Sequence, residues 1–227
     1  MKIPVIYQDA DILVVNKPVG EDVYAVEAQL AKKDKNIKLA HRLDRDTSGL
    51  LLLAKNEKMS EWLKAQFKER KIKKVYRAIV TGNLKAEAGR PTGTISASIG
   101  RHPSDARRRI AGGHAVGEKR EAVTHYQILQ NFPTRDAGGK GYTYLEARPI
   151  TGRTHQLRVH FKYLGFPIAS DRLYAPHAKS LPGLERQALH AYQLTVPMPD
   201  GTEKSFEAAL PADFAKALAR LAKPEKA

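Results

Sequence analysis

Cysteine is absent from the 227 residues. Disulfides, thiolate metal sites and cysteine nucleophiles are thereby excluded. Acidic side chains are also scarce: 24 Asp plus Glu stand against 39 Lys plus Arg, a formal net charge of +15. Such an excess concentrates polyanions at the surface and makes nucleic acid the expected partner class, although charge speaks to partners and solubility rather than to fold. No apolar run approaches the ~20 residues that span a bilayer. Asp9, Asp11 and Lys17 interrupt the N-terminal apolar stretch where a secretory leader needs continuity. A cytoplasmic address with no membrane partner is the default. Hydrophobic residues make up 42% of the chain, enough for a core and too many for wholesale disorder. The length suits one core, or one domain of two sub-lobes, and a monomer is the default state.

Short apolar runs mark the strands. Ile12 to Val15, ended by Asn16-Lys17-Pro18, reads as a buried strand leaving into a turn, and Leu50 to Ala54 after Ser48-Gly49 is another. Met59, Trp62, Leu63, Gln66 and Phe67 recur at helical spacing, which predicts a helix over 57–69 with Asn56 as its N-cap. Strands are expected at 75–80, 122–129, 142–150 and 189–196, the middle two joined through the turn-rich Asp136-Ala137-Gly138-Gly139. Residues 151–164 predict a helix stopped by Gly165, and Phe214, Leu218 and Leu221 predict a C-terminal one. Between 90 and 117, Gly, Pro, Ser and Arg dominate and apolar periodicity is weak outside 94–99, which predicts a mobile basic loop. Strands predominate in the middle, so the class is α+β with a largely antiparallel sheet.

Three stretches carry candidate chemistry. In His41-Arg42-Leu43-Asp44-Arg45-Asp46-Thr47-Ser48-Gly49, two carboxylates alternate with guanidiniums just before a buried strand. Neighbouring cations favour an ionised carboxylate, which can serve as nucleophile or base. A tight turn in which Asp44 or Asp46 caps backbone N–H groups accounts for the same residues, and nothing intrinsic to the stretch chooses between the two. In Arg153-Thr154-His155-Gln156-Leu157-Arg158-Val159-His160, His155 and Arg158 share a face if the segment is helical, and can bind phosphate or hold a carboxylate. Gln and Arg are poor zinc ligands, so no metal site is expected there. In Lys73-Lys74-Val75-Tyr76-Arg77, strand alternation puts Lys74 and Tyr76 on one face, where a base can stack and a phosphate can pair. A core or edge tyrosine explains Tyr76 equally well. Arg107, Arg108 and Arg109 are the natural RNA-backbone contacts by charge, or else part of a solvated loop.

Taken together these segments resemble the RluA-type pseudouridine synthases. The resemblance runs from about Ile6 to about Phe214 and rests on four blocks in order. They are Val14-Val15-Asn16-Lys17-Pro18, His41-Arg42-Leu43-Asp44 with Thr47-Ser48-Gly49, Lys74-Val75-Tyr76-Arg77-Ala78, and the long run Arg148 to His160. A lone motif would carry little; four in register carry much.

The resemblance implies an isomerase that converts uridine to pseudouridine in ribosomal RNA, transfer RNA or both, without cofactor or metal. It implies a pseudouridine synthase fold, an antiparallel sheet in two halves with a central catalytic cleft and flanking helices. One catalytic domain is expected over 1–222, with the basic loop at about 101–118 and a tail at 223–227. By position, Asp44 matches the catalytic aspartate, Tyr76 the active-site tyrosine and Arg158 the arginine that pairs with the carboxylate. Arg42 matches an arginine implicated in displacing the target nucleotide. His41, Arg153, His155, Lys74, Arg107, Arg108 and Arg109 are the further substrate-binding candidates. An N-terminal S4-type domain is not seen in this sequence, so RNA selection is expected to lie in the catalytic domain and its insertions. A non-catalytic RNA-binding protein would share the charge but does not require Asp44, Tyr76 and Arg158 together. A metal-dependent nuclease needs clustered acids, and Asp44 and Asp46 among arginines make a poor cation site.

Overall fold

The computed structural model describes residues 3–85, 91–133, 139 and 141–223. In chain order its elements begin with β1 (Val5–Gln8), β2 (Ile12–Lys17), α1 (Val23–Ala31), β3 (Lys38–Leu39), β4 (Ser48–Ala54), α2 (Glu57–Lys68) and β5 (Lys73–Thr81). They continue with β6 (Thr92–Ser96), β7 (Ile99–Arg101), β8 (Arg109–Ala111), β9 (Val116–Arg120), β10 (Val123–Phe132) and β11 (Tyr142–Pro149). The last are α3 (Gln156–Tyr163), β12 (Leu189–Pro197), β13 (Glu203–Glu207) and α4 (Ala212–Leu221). The class is α+β with largely antiparallel pairing, and the chain divides into two compact units.

The first unit comprises the chain up to Val75 together with His190–Leu210. In it β2 lies antiparallel to β1 and to β4, while β12 runs parallel to β4 through His190 opposite Ser48 and Ala191 opposite Gly49. Strand β13 closes antiparallel on β12. Both faces of β2 and β4 are buried. Ile12, Val14, Leu50 and Leu52 pack with Met59 and Leu63 of α2, and Leu13, Val15, Leu51 and Leu53 on the opposite face are equally hidden. That is why these strands read as unbroken apolar runs rather than alternation. Helix α2 starts where expected, with the Asn56 side chain accepting the Met59 N–H.

The second unit comprises Tyr76–Leu189 and the chain after Leu210. Strands β5, β11, β10 and β6 follow one another antiparallel. The segment 101–118 is not the irregular loop expected. Strands β8 and β9 pair antiparallel on either side of β7 to make a small three-stranded sheet. Its strands are 3 to 5 residues long and β9 is exposed at every position, so no apolar period could develop in the sequence. Helix α3 also starts later than expected. Residue 155 is left-handed (φ 57°), which cannot continue a right-handed helix backward into 151–154. Helix α1, capped by Asp22, was not expected from the sequence, because its apolar residues make no regular stripe. The turn at Asp136-Ala137-Gly138 and the tail from residue 224 lie outside the described residues.

Candidate active site

The stretch 41–49 is built as a pinned turn in the first unit. Its hinge is the backbone bond from Thr47 N–H to the Asp44 carbonyl (3.0 Å). A buried ammonium holds it from below. Lys17, 0% exposed, donates to the carbonyls of Pro18 (2.8 Å), Glu21 (2.9 Å) and Arg45 (2.8 Å). The same Arg45 carbonyl accepts the Gly20 N–H, and Arg45 Nε donates back to the Gly20 carbonyl. A desolvated ammonium is costly unless all its protons are satisfied, and here three carbonyls do so. The clamp therefore fixes the residue next to Asp44. Asp44 is half-buried and Asp46 exposed.

Thr47-Ser48-Gly49 anchors the far end of the turn. Ser48 Oγ lies 2.9 Å from Nδ1 of the fully buried His190, whose Nε2 lies 3.0 Å from the Ala208 carbonyl. A carbonyl only accepts, so Nε2 carries the proton and Ser48 donates to Nδ1. At Gly49 (φ 113°) a Cβ would stand 2.2 Å from the Ala191 carbonyl oxygen, so only glycine lets β4 approach β12. These signature residues are structural supports of the turn.

His41 and Lys74 meet at Phe67. The His41 ring lies 5.2 Å from the Phe67 ring, and Lys74 Nζ lies 5.8 Å from the same ring centre. His41 Nε2 accepts the Leu52 N–H at 3.1 Å. Burial, with the Lys74 charge nearby, pushes the imidazole down to about 3, so it is neutral at ordinary pH. Burial pushes the Lys74 ammonium down to about 8. His41 thus serves as an uncharged acceptor at the base of the turn, and Lys74 as a cation close to losing its proton.

In the second unit the sequence candidates converge on two residues it did not flag. Arg158, on α3, donates through Nε to Asp171 Oδ2 (2.7 Å) and through Nη2 to Oδ1 (2.9 Å), a two-point pair with both partners buried. Asp171 Oδ1 also accepts the N–H groups of Leu173 and Tyr174. Tyr174 then lies with its ring centre 4.9 Å from the Arg158 guanidinium and 5.7 Å from that of Arg108. Its hydroxyl accepts the Arg109 N–H and meets His155 Nδ1, both at 2.9 Å. His155 and Arg158 therefore do come together, through Tyr174 and not by sharing a helix face. Residues 165–188 have no period that would have announced Asp171 or Tyr174.

The remaining candidates are placed as follows. Tyr76 is half-buried on β5 opposite Ala147. Arg42 is exposed. Arg153 donates to the Glu121 carbonyl. Arg107 pairs with Asp105, and Arg109 folds back onto the carbonyls of Ala106 and Arg108. The polar residues around them are scaffold: Gln156 Oε1 accepts from Thr151 and Arg153, its Nε2 donates to the Val123 carbonyl and Thr124 Oγ1, and His160 bonds Thr124 and the Ala97 carbonyl. Among the described residues no three His, Asp or Glu side chains form a metal-ligand group.

Residues 11–163 match the family model described as RNA pseudouridylate synthase. The chain belongs to the RNA pseudouridylate synthase family. An RNA pseudouridine synthase of Bacillus subtilis is 36% identical over 241 residues, covering 98% of this chain and 74% of the relative. The ribosomal large subunit pseudouridine synthase D of Borreliella burgdorferi is 35% identical, covering 93% and 66%. A relative from Chloroflexus aurantiacus is 43% identical, and this chain spans 53% of its length. The solved structure of human RNA pseudouridylate synthase domain containing 1 superposes over 100% of this chain and 97% of its own, with a TM-score of 0.74 and 26% identity. RNA pseudouridylate synthases isomerise uridine to pseudouridine in RNA. The matched span takes in the pinned turn at Asp44, the Tyr76 strand and Arg158. It stops before Asp171 and Tyr174, which the fold nonetheless brings to Arg158.

Proposed function

We propose that the chain isomerises uridine in large-subunit ribosomal RNA, with Asp44 as the essential carboxylate and both units acting as one catalytic domain over 1–222. The name of the Borreliella burgdorferi relative supplies the ribosomal substrate; transfer RNA is the other polymer of the same chemistry. A single observation carries the assignment of Asp44: a fully buried lysine spends its protons on fixing a turn whose half-buried residue is a carboxylate. A reacting group must be held in place, and the lysine holds the backbone beside Asp44.

The target nucleotide leaves its stack before its sugar can be reached. Arg42 takes the vacated space, and Tyr76 stacks on the extracted uracil. Asp44 acts at the ribose, by adding to C1′ or by removing the 2′ proton; both routes start from the ionised carboxylate. Arg158 keeps it so. Its Nε and Nη2 are held by Asp171, which fixes where the guanidinium stands. Tyr76 removes the C5 proton at the end. Isomerisation changes no oxidation state, so the chemistry calls for no redox cofactor; on this reading the protein is a monomer in the cytoplasm. Lys74, Arg153, His155 and Arg107 contact the RNA backbone, whereas His41, Arg108 and Arg109 are engaged within the protein.

Asp44→Asn should abolish tritium release from [5-³H]uridine-labelled RNA while leaving RNA affinity within about twofold of wild type. Full release by that variant would remove Asp44 from the chemistry. Mapping pseudouridines in total RNA from cells with and without the protein should show loss in large-subunit ribosomal RNA. Loss in transfer RNA alone would reassign the substrate, and no loss anywhere would overturn the activity.

A further inference from the structure

We propose that Tyr174 is a positioning residue that holds the plane of the Arg158 guanidinium. The proposal rests on the reading that Arg158 faces the reacting carboxylate. Asp171 fixes one edge of the guanidinium through two hydrogen bonds. Two bonds along one edge still allow the group to hinge about that edge. A ring centred 4.9 Å away, inside the ~6 Å reach of cation–π attraction, removes the freedom.

The ring is itself held at its hydroxyl. That oxygen accepts the Arg109 N–H of β8, so its own proton is available to His155 Nδ1. His155 in turn sits in a left-handed conformation (φ 57°) uncommon for a residue with a side chain, at the start of the helix that carries Arg158. Arg108 lies against the same ring at 5.7 Å. Tyr174 is 2% exposed and Asp171 1%. Neither can be approached by RNA, so any effect of Tyr174 on chemistry passes through its neighbours. The basic strand β8 is therefore tied to Arg158 through one buried phenol.

The test compares wild type, Tyr174→Phe, Tyr174→Met, Arg158→Lys and the double variant Tyr174→Met with Arg158→Lys. Single-turnover tritium release is followed on [5-³H]uridine-labelled total RNA from cells lacking the protein. Methionine fills the buried volume without the ring, and phenylalanine restores the ring without the hydroxyl. Tyr174→Met should slow release at least about tenfold with RNA affinity within about twofold, and Tyr174→Phe should stay within about threefold. On the Arg158→Lys background, the Tyr174→Met change should cost less than about twofold. Equal costs on both backgrounds would show that Tyr174 acts elsewhere and overturn the proposal. A wild-type rate in Arg158→Lys alone would instead overturn the reading of Arg158. A readout without turnover is hydrogen exchange at Arg158 Nε in RNA-free protein, its resonance assigned by its loss in Arg158→Lys. Exchange should be about tenfold faster in Tyr174→Met than in Tyr174→Phe, and equal exchange overturns the proposal. If Tyr174→Met does not fold, Tyr174→Leu takes its place under the same expectations.

Discussion

At the residue scale, the fold spends unusual side chains to fix ordinary backbone. Lys17 is the sharpest case, because its three acceptors are carbonyls and one of them adjoins Asp44. Replacing it with methionine keeps most of the buried volume but takes the ammonium donor from the Pro18 and Glu21 oxygens and leaves the Arg45 oxygen with the Gly20 N–H, at a cost of about 3 kcal/mol. Urea denaturation should show that loss, and the surviving folded fraction should turn over more slowly with little change in RNA affinity. Wild-type turnover in folded Lys17→Met would show that the clamp serves stability alone. Lys74 makes a second prediction. Its pKa near 8 means that it is charged at neutral pH and largely neutral at pH 9. If it grips a phosphate, RNA affinity falls by up to about tenfold between pH 7 and 9, and Lys74→Arg, which keeps its charge, abolishes the fall. The same pH dependence in both proteins would take Lys74 out of the interface. Asp44, Tyr76 and Arg158 could be singled out in the sequence because they stand in ordered blocks. Asp171 and Tyr174 could not, because what identifies them is partners 13 to 65 positions away.

At the scale of elements, legibility followed how each element is buried. Strands β2 and β4 and helix α2 were readable, since two hidden faces give an unbroken apolar run and one hidden face gives helical spacing. The small sheet β7–β9 was not, because short, mostly exposed strands leave no period to read. The start of α3 was misplaced because its boundary is set by the left-handed His155 and by Gln156 bonding back to Thr151, neither of which is a local propensity. The junction of β4 with β12 offers the strongest test at this scale. Gly49→Ala both forces a side chain into φ 113° and drives Cβ to 2.2 Å from the Ala191 oxygen. Strain and overpacking together should cost about 3 kcal/mol or more, lowering the melting temperature or preventing folding. A variant as stable as wild type would show that β4 can move away from β12. His41 adds a pH dependence to the same unit. Its folded pKa of about 3 lies below the ordinary imidazole value of 6.5, so the unfolded chain takes up a proton that the folded one refuses. The contribution is complete above pH 6.5 and is lost as the pH falls from there toward 3, by up to about 1.4 kcal/mol per pH unit. His41→Asn should flatten that part of the stability profile.

At the scale of the whole molecule, the net charge of +15 sets how RNA is found and held, and each exposed cation that meets a phosphate leaves its mark on salt dependence. Two cations of the small sheet and its loop are engaged within the protein: Arg108 lies against Tyr174 and Arg109 folds onto backbone carbonyls. Arg101, Arg107, Lys119 and Arg120 are exposed, and the pairs of Arg107 with Asp105 and of Arg120 with Glu118 are surface interactions that phosphate can displace. The triple run Arg107-Arg108-Arg109 therefore does not act as three equal phosphate ligands. Changing Arg101 and Arg107 together to alanine should weaken RNA binding and reduce the slope of log affinity against log salt by up to about 2, about 0.7–0.9 for each phosphate no longer neutralised. The same change at Arg108 and Arg109 should instead disturb the ring of Tyr174 and slow turnover more than it weakens binding. A salt slope that stays at its wild-type value after Arg101 and Arg107 are removed would place the RNA on another face, and the small sheet would then matter only as the support of Arg158.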